Sequence, residues 1–232
     1  MRTVLIIEPV TFAGAAEEDA AYLDGVRERD TVVEVVCASP LESVEGYADE
    51  VRSAVGVLDA AAAWAGRCDA MVINCFADPG LLAAREVARV PIVGAAEASV
   101  SLALQLGARF GVVAPSAVAA KDAFVQAAAM GLAARFAGAV SVDVPIVDLT
   151  RDPEATAASL ASAARQCVDQ HGADVVVLGC TGMAQLAEKV RQQLDVPLIE
   201  PMLAAFKTAE SLARLGLVHA PSPLHVPAAR DG

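Results

Sequence analysis

Asp69-Ala-Met-Val-Ile-Asn-Cys75 and Asp174-Val-Val-Val-Leu-Gly-Cys180 read as one segment written twice. Each opens on an aspartate, continues through apolar residues and ends on a cysteine six positions later. A short apolar run without charge is the mark of a strand buried on both faces, as in a parallel sheet covered by helices. Working outward, Val90-Pro91-Ile92-Val93 follows the first cysteine and Val196-Pro197-Leu198-Ile199 follows the second. Pro91 lies 16 residues beyond Cys75, and Pro197 lies 17 beyond Cys180. Upstream, Arg2-Thr-Val-Leu-Ile-Ile-Glu-Pro9 pairs loosely with Arg109-Phe-Gly-Val-Val-Ala-Pro115. The offset is 107 between the arginines and 105 between the cysteines. A repeat this long is no solenoid unit, and it predicts two similar α/β lobes.

The remaining chain fits that plan. Strands are expected at 3–7, 32–37, 70–75, 92–93, 110–114, 141–147, 175–178 and 198–199, where β-branched and apolar residues cluster. Helices are expected at 14–29, 46–66, 80–89, 97–107, 116–131, 153–172, 182–194 and 202–215, with glycine at or just beyond several C-terminal ends. The expected organisation is lobe one from 1–95 plus 200–220 and lobe two from 96–199. The segment 221–232, with three prolines and no period, reads as a loose tail.

Composition narrows the function classes. Of 232 residues 56% are hydrophobic, enough for a sizeable core and far from a disordered chain. The 29 acidic against 17 basic residues give a formal charge of −12. That sign repels phosphate backbones and anionic lipid, so neither nucleic acid nor a membrane surface is expected as partner. Uncharged runs such as 70–77 are too short to span a bilayer. The apolar start meets Glu8-Pro9 with no cleavage site, so no signal peptide is expected. Five widely spaced cysteines (Cys37, Cys68, Cys75, Cys167, Cys180) point to a reducing, cytoplasmic home. There is no CxxC, and His171, His219 and His225 stand at no metal-ligand spacing, so no metal is expected. Neither GxGxxG nor GxxxxGKS/T occurs, and no cofactor is expected.

Cys37, Cys68 and Cys167 read as core cysteines. Cys75 and Cys180 differ because each ends a strand and precedes a helix, where open parallel sheets bind ligands. Two facing lobes would bring them to one cleft. Asp78 can cap the first helix with Pro79 at its first position, and Thr181 can cap the second. Thiols at helix N-termini are expected to favour thiolate, and the free N–H groups there can hold a developing enolate oxygen. Two such groups on opposite faces of a carbanion suit inversion at a carbon beside a carbonyl: one takes a proton, the other gives one.

These residues resemble the hydantoin/allantoin racemase branch of the aspartate/glutamate racemase superfamily. The resemblance is carried by Asn74-Cys75-Phe76-Ala77-Asp78-Pro79-Gly80-Leu81, Pro91-Ile-Val-Gly94 with Glu97-Ala98, Leu106-Gly-Ala-Arg-Phe110 and Leu178-Gly-Cys180-Thr-Gly-Met183. Residues 40–50 and 197–216 also fit. The resemblance implies two pseudo-symmetric parallel-sheet lobes with the site between them, cofactor-independent racemisation and a homo-oligomer. It implies Cys75 and Cys180 as acid and base, and a small-molecule substrate held by Glu8, Pro9, Thr11, Asn74, Phe76, Ala77, Pro115, Ser116, Thr181 and Gly182.

Two turns depart from the branch. Asn-Pro-Asn-Thr is usual after the first strand, and here Glu8-Pro9-Val10-Thr11 stands there. The matching turn of lobe two usually carries Thr-Thr, replaced by Ala114-Pro115-Ser116. Glu8 reads either as a solvated strand-end residue or as an acceptor for ring N–H or amino groups. An ionised Glu8 would disfavour a substrate carboxylate. Glu97 and Glu200 read as helix-start residues or as cleft residues, Phe76 as an apolar wall over a ring, and Trp64 as packing. The alternatives are a maleate-type cis–trans isomerase, an arylmalonate-type decarboxylase and a non-catalytic binder. The resemblance assigns the decarboxylase only the second cysteine, so retention of Cys75 argues against it.

Overall fold

The structure, a computed structural model, describes residues 1–11 and 14–220. The expected tail at 221–232, with His225, lies outside the described residues.

Two four-stranded parallel sheets share one strand order. In the first, β1 (Arg2–Glu8) lies between β2 (Thr31–Cys37) and β3 (Ala70–Ile73), with β4 (Ile92–Gly94) beyond β3. In the second, β5 (Phe110–Ala114) lies between β6 (Phe136–Ser141) and β7 (Val175–Leu178), with β8 (Leu198–Ile199) beyond β7. Helices α1 (Ala15–Asp24), α2 (Tyr47–Trp64), α3 (Leu81–Val87) and α4 (Ala95–Leu106) follow the first four strands in turn. After the next four come α5 (Ala117–Ala129), α6 (Pro153–Asp169), α7 (Ala187–Arg191) and α8 (Pro201–Leu215).

The repeat in the sequence is a repeat of hydrogen bonds. Asp69 donates its N–H to Thr3 O, and its Oδ2 accepts from Thr3 N at 2.7 Å. Asp174 does the same in the second sheet: its N–H goes to Arg109 O, and its Oδ2 accepts from Ala108 N and Arg109 N, both at 2.9 Å. Pro91 O accepts from Met71 N, and Pro197 O from Val176 N. Where the cysteine strands end, Asn74 N donates to Ile7 O and Gly179 N to Val113 O.

Strand alternation divides the apolar residues among three cores. Leu5, Ile7, Met71 and Ile73 face α2 and α3. Val113, Val176 and Leu178 face α6 and the Met183–Val190 segment. The opposite faces of both sheets, with Val4, Ile6 and Val72 on one and Val112, Val175 and Val177 on the other, share a central core. Burying each such side chain is worth about 1.5–3 kcal/mol, which is why these strands tolerate no polar alternation. Between the sheets run α4, packed on β5, β7 and β8, and α8, packed on β1, β3 and β4. The alanine-rich faces of these helices (Ala96, Ala103, Ala205 and Ala209 among them) let them approach each other closely.

Three sequence expectations shift. The strand expected at 141–147 is β6 at Phe136–Ser141. Val142, Val144 and Ile146 alternate like a strand, and Val142 and Val144 N–H still reach Ala114 O and Pro115 O, but Asp143 takes φ 53° and Pro145 follows, so the regular ladder ends at Ser141. The helix expected at 14–29 stops at Gly25. The helix expected at 182–194 is a 3-10 turn over Thr181–Leu186 followed by α7. Cys68 and Cys167 are buried as expected, whereas Cys37 is exposed at the end of an edge strand.

Candidate active site

The carboxyl ends of the two sheets meet at a cavity of about 470 Å³, the position where open parallel sheets take ligands. Lobe one supplies Glu8, Pro9 and Val10 at the end of β1, Glu42, Ser43 and Val44 after β2, and Asn74 and Cys75 after β3, with Glu18, Asp19 and Tyr22 from α1. Ile146, Val147 and Thr150 after β6 and Cys180, Thr181 and Gly182 after β7 form the facing wall. The same two cysteines line a second, smaller cavity of about 70 Å³ with Phe76, Ala77, Pro115 and Ser116. Thr181 Oγ1 donates to Asn74 O at 3.1 Å, tying one cysteine segment to the other across the cleft.

Local backbone explains how each sulfur is presented. Cys180 is the N-cap residue of the 3-10 turn, and Gly182 N–H faces its sulfur. Cys75 precedes a turn closed by Asp78 N to Cys75 O at 3.0 Å, and Ala77 N–H faces its sulfur. Cys75 is therefore not at a helix start, because α3 begins only at Leu81. Burial pushes both thiols up, Cys180 to about 11 and Cys75 higher still, with the N–H groups of Gly182 and Ala77 opposing the rise. The expectation that helix ends would favour thiolate is thus corrected: desolvation outweighs one N–H donor at each sulfur.

The expected caps are also reassigned. Asp78 does not cap α3. Its Oδ1 accepts from Ala96 N at 3.0 Å and its Oδ2 from Glu97 N at 2.9 Å, so it caps α4 from the cysteine turn. Gly94 is required beneath it, since a Cβ there would stand 2.4 Å from the Asp78 carboxylate. Thr181 makes no cap and bridges the lobes instead. Glu200 caps α8, accepting from Met202 N and Leu203 N at 2.7 and 2.8 Å, and Glu97 pairs with Arg85.

Glu8 is not solvated. It is 3% exposed, and its Oε1 accepts from Asn74 Nδ2 at 2.5 Å. The same Nδ2 lies 3.4 Å from Asp19 Oδ2. Burial first, and the Asp19 charge second, hold the Glu8 carboxyl well above the usual range, and burial raises Asp19 as well. Burial and the neighbouring Asp19 thus favour the protonated form of Glu8, against the expectation of an ionised one.

Of the other sequence candidates, Pro9, Asn74, Thr181 and Gly182 line the larger cavity and Phe76, Ala77, Pro115 and Ser116 the smaller. Ser116 Oγ also caps α5 by accepting from Ala119 N. Thr11 stands outside both walls, its Oγ1 donating to Ser39 O at 2.6 Å. His219 accepts at Nε2 from Ile92 N. Asp19 and Tyr22 escaped the sequence reading. The signal was helical spacing: Asp19 lies one turn before the fully buried Leu23, so its side chain is carried inward.

Two duplicated parallel-sheet lobes with a cysteine at each matching strand end define a racemase-type fold. The Asp/Glu/Hydantoin racemase family model matches residues 6–209, and the chain belongs to that family, an isomerase family by its named relatives. It is 37% identical over 189 residues to a hydantoin racemase from a Pseudomonas species, covering 79% of this chain and 75% of that one. A Rhizobium meliloti hydantoin racemase is 36% identical over 75% of this chain and 73% of its own length. The solved structure of an allantoin racemase from Klebsiella pneumoniae superposes with a TM-score of 0.89 at 31% identity, covering 99% of this chain and 97% of that one. Among the described residues no helix is long and apolar enough to cross a membrane.

Proposed function

We propose that this protein racemises a hydantoin- or allantoin-like cyclic ureide, with Cys75 and Cys180 as the two proton-transfer groups and no cofactor. The supporting observation is the placement of both sulfurs, at equivalent strand ends of two repeated lobes, on one cavity wall each. The hydantoin and allantoin racemases among the relatives supply the substrate class.

The reaction follows from the chemistry of the pair. One cysteine acts as thiolate and takes the proton from the ring carbon beside the carbonyl; the C–H electrons move into the enolate. The other cysteine, as thiol, gives its proton to the opposite face. The charge thereby passes from one sulfur to the other, and the carbon is inverted. Ala77 N–H and Gly182 N–H stand beside the sulfurs, where they stabilise whichever is negative. Burial raises both thiols, Cys75 further than Cys180. Because both thiols are raised, activity rises with pH from neutrality into the alkaline range.

Deuterium exchange tests this. Single enantiomers of allantoin and of substituted hydantoins are incubated with protein in D2O, and α-proton loss is followed with optical rotation. Racemisation moves both signals above the protein-free rate. Cys75→Ser and Cys180→Ser each lower the rate by about 10²–10⁴-fold. Full activity in either single variant overturns the two-base assignment, and carbon dioxide release from a malonate would identify a decarboxylase.

A further inference from the structure

The sulfurs of Cys75 and Cys180 belong to different lobes, and no strand ladder joins the two sheets. The lobes meet through α4 and α8, whose packing on each other and on the sheets is largely apolar. Apolar packing has little direction, so it resists separation of two bodies more than sliding of one past the other. One directional link crosses the cleft beside the sulfurs. Thr181 Oγ1 donates to Asn74 O at 3.1 Å. Among the described residues no other hydrogen bond joins segment 74–78 to segment 179–183. Thr181 is the neighbour of Cys180 along the chain, and Asn74 is the neighbour of Cys75. Both ends of the link are anchored. Asn74 N–H is held by Ile7 O at 2.9 Å, and its Nδ2 by Glu8 Oε1 at 2.5 Å. Gly179 N–H is held by Val113 O at 2.7 Å, and Met183 N–H by Cys180 O at 3.2 Å. Thr181 lines both cavities together with the two cysteines.

We infer that Thr181 is a positioning residue for the inversion: through Asn74 O its hydroxyl fixes where Cys180 stands relative to Cys75, so that the carbanion made at one sulfur is protonated by the other. The inference rests on the racemase reading above. Proton transfer tolerates little displacement, and a misplacement of about 1 Å can cost about 10²-fold. With the link in place, the sulfur that takes the proton from carbon forms its S–H bond, and the opposite S–H gives its proton to the other face. Without the link the opposite sulfur is misplaced, and the carbanion takes a proton back from the sulfur that removed it. The starting enantiomer is then regenerated, carrying deuterium where that S–H has exchanged with D2O. A hydroxyl that only bound substrate would change affinity and leave this partition alone.

The experiment incubates one enantiomer of benzylhydantoin, and one of allantoin, in D2O with the unmodified protein, Thr181→Val and Thr181→Ser. At early conversion the enantiomers are separated, and deuterium is measured in the recovered and in the inverted compound. Thr181→Val keeps the shape and loses the donor. It is expected to lower kcat by about tenfold or more, with KM within about twofold, and to raise the share of deuterium in the recovered enantiomer. Thr181→Ser, which keeps the donor, recovers both. A raised KM with an unchanged partition makes Thr181 a ligand contact and overturns the positioning role. Unchanged kcat and partition in folded Thr181→Val overturn it as well, and keep the racemase reading. Amide hydrogen exchange of the same three proteins without substrate separates the two readings. Faster exchange of segments 74–78 and 180–183 in Thr181→Val, absent in Thr181→Ser, keeps the link even where the unmodified protein turns over neither compound, an outcome that sinks the racemase reading. Equal protection in all three proteins overturns the link, whatever the turnover.

Discussion

The two cysteine segments occupy matching places in their sheets, yet the residue before each cysteine differs: Asn74 in lobe one, Gly179 in lobe two. Both donate their backbone N–H to the neighbouring strand, to Ile7 O and Val113 O respectively. In lobe one there is room for a side chain, which reaches Glu8. In lobe two a Cβ at 179 would stand 2.8 Å from Val112 Cγ1 and 2.9 Å from Val113 O. The strand ends are thus held alike by backbone bonds, while side chains diverge wherever the ladder does not constrain them. Lobe one holds the polar cluster of the cleft, and lobe two closes tightly behind its cysteine.

Exchanging residues between the lobes breaks that asymmetry most sharply at this position. Gly179→Asn forces an amide into packed backbone and destabilises by roughly 3 kcal/mol, read as a lowered urea midpoint. Asn74→Gly removes one amide–carboxyl bond and some backbone order, costing about 1 kcal/mol. Equal losses in the two variants would mean that the lobes are packed alike here.

The starts of the two inter-lobe helices make a second pair. Ala96 and Glu97 N–H at the start of α4 correspond to Met202 and Leu203 N–H at the start of α8, and each pair is met by a carboxylate. Glu200 does this from within its own helix start, whereas Asp78 reaches over Gly94 from the Cys75 turn. Asp78→Ala and Glu200→Ala should each lose about 1–2 kcal/mol of stability. Only Asp78→Ala should also lower kcat, by tenfold or more, because it releases the turn that aims Ala77 N–H at the sulfur. A comparable kcat loss in Glu200→Ala would show that the two caps are functionally alike.

Acidity provides a gentler test of the same pair. Burial raises Asp78 and Glu200 each to about 7, against the helix N–H groups that pull them down. Each folded value lies above the unfolded one, so the folded state binds more protons between them. The stability this adds is complete below about pH 4 and is lost as pH rises towards 7. Unfolding free energy should therefore fall between pH 5 and 7 and level off above. At its steepest each group contributes on the order of 1 kcal/mol per pH unit. Asp78→Asn and Glu200→Gln should each flatten the slope by a similar share. If only one does, the two carboxyls are not in equivalent electrostatic settings.

The sequence carried the lobes well because its repeated residues bear on backbone bonding. Asp69 and Asp174 fasten strand starts, and Pro91 and Pro197 mark the next strand, so identity and role coincide. It carried the caps poorly. Asp78 stands two residues before a glycine-started helix and serves another helix 18 residues on, a contact that local spacing cannot encode. The β6 strand was misplaced because Phe136-Ala-Gly-Ala-Val140 is small and weakly β-forming, while the following valines alternate. Glu8 and Asp19 are brought together by the approach of α1 to the end of β1, and burial, which raises both carboxyls, is something composition conceals.

The smallest effect belongs to the ends of the strands flanking β1 and β5. Glu8 pairs in register with Cys37, and Ala114 with Ser141. Cys37 is exposed, lines neither cavity and has its lobe-two counterpart in a serine. Cys37→Ser thus writes the lobe-two residue into lobe one at an exposed place. Stability should change by less than about 0.5 kcal/mol, and the racemisation rate should stay within twofold. The variant should also remove the thiol that a bulky reagent reaches fastest, since exposure governs access to sulfur. If Cys37→Ser slowed turnover markedly, the strand-edge sulfur would belong with the cleft after all, and the divergence between the lobes would extend beyond the side chains that face the ligand.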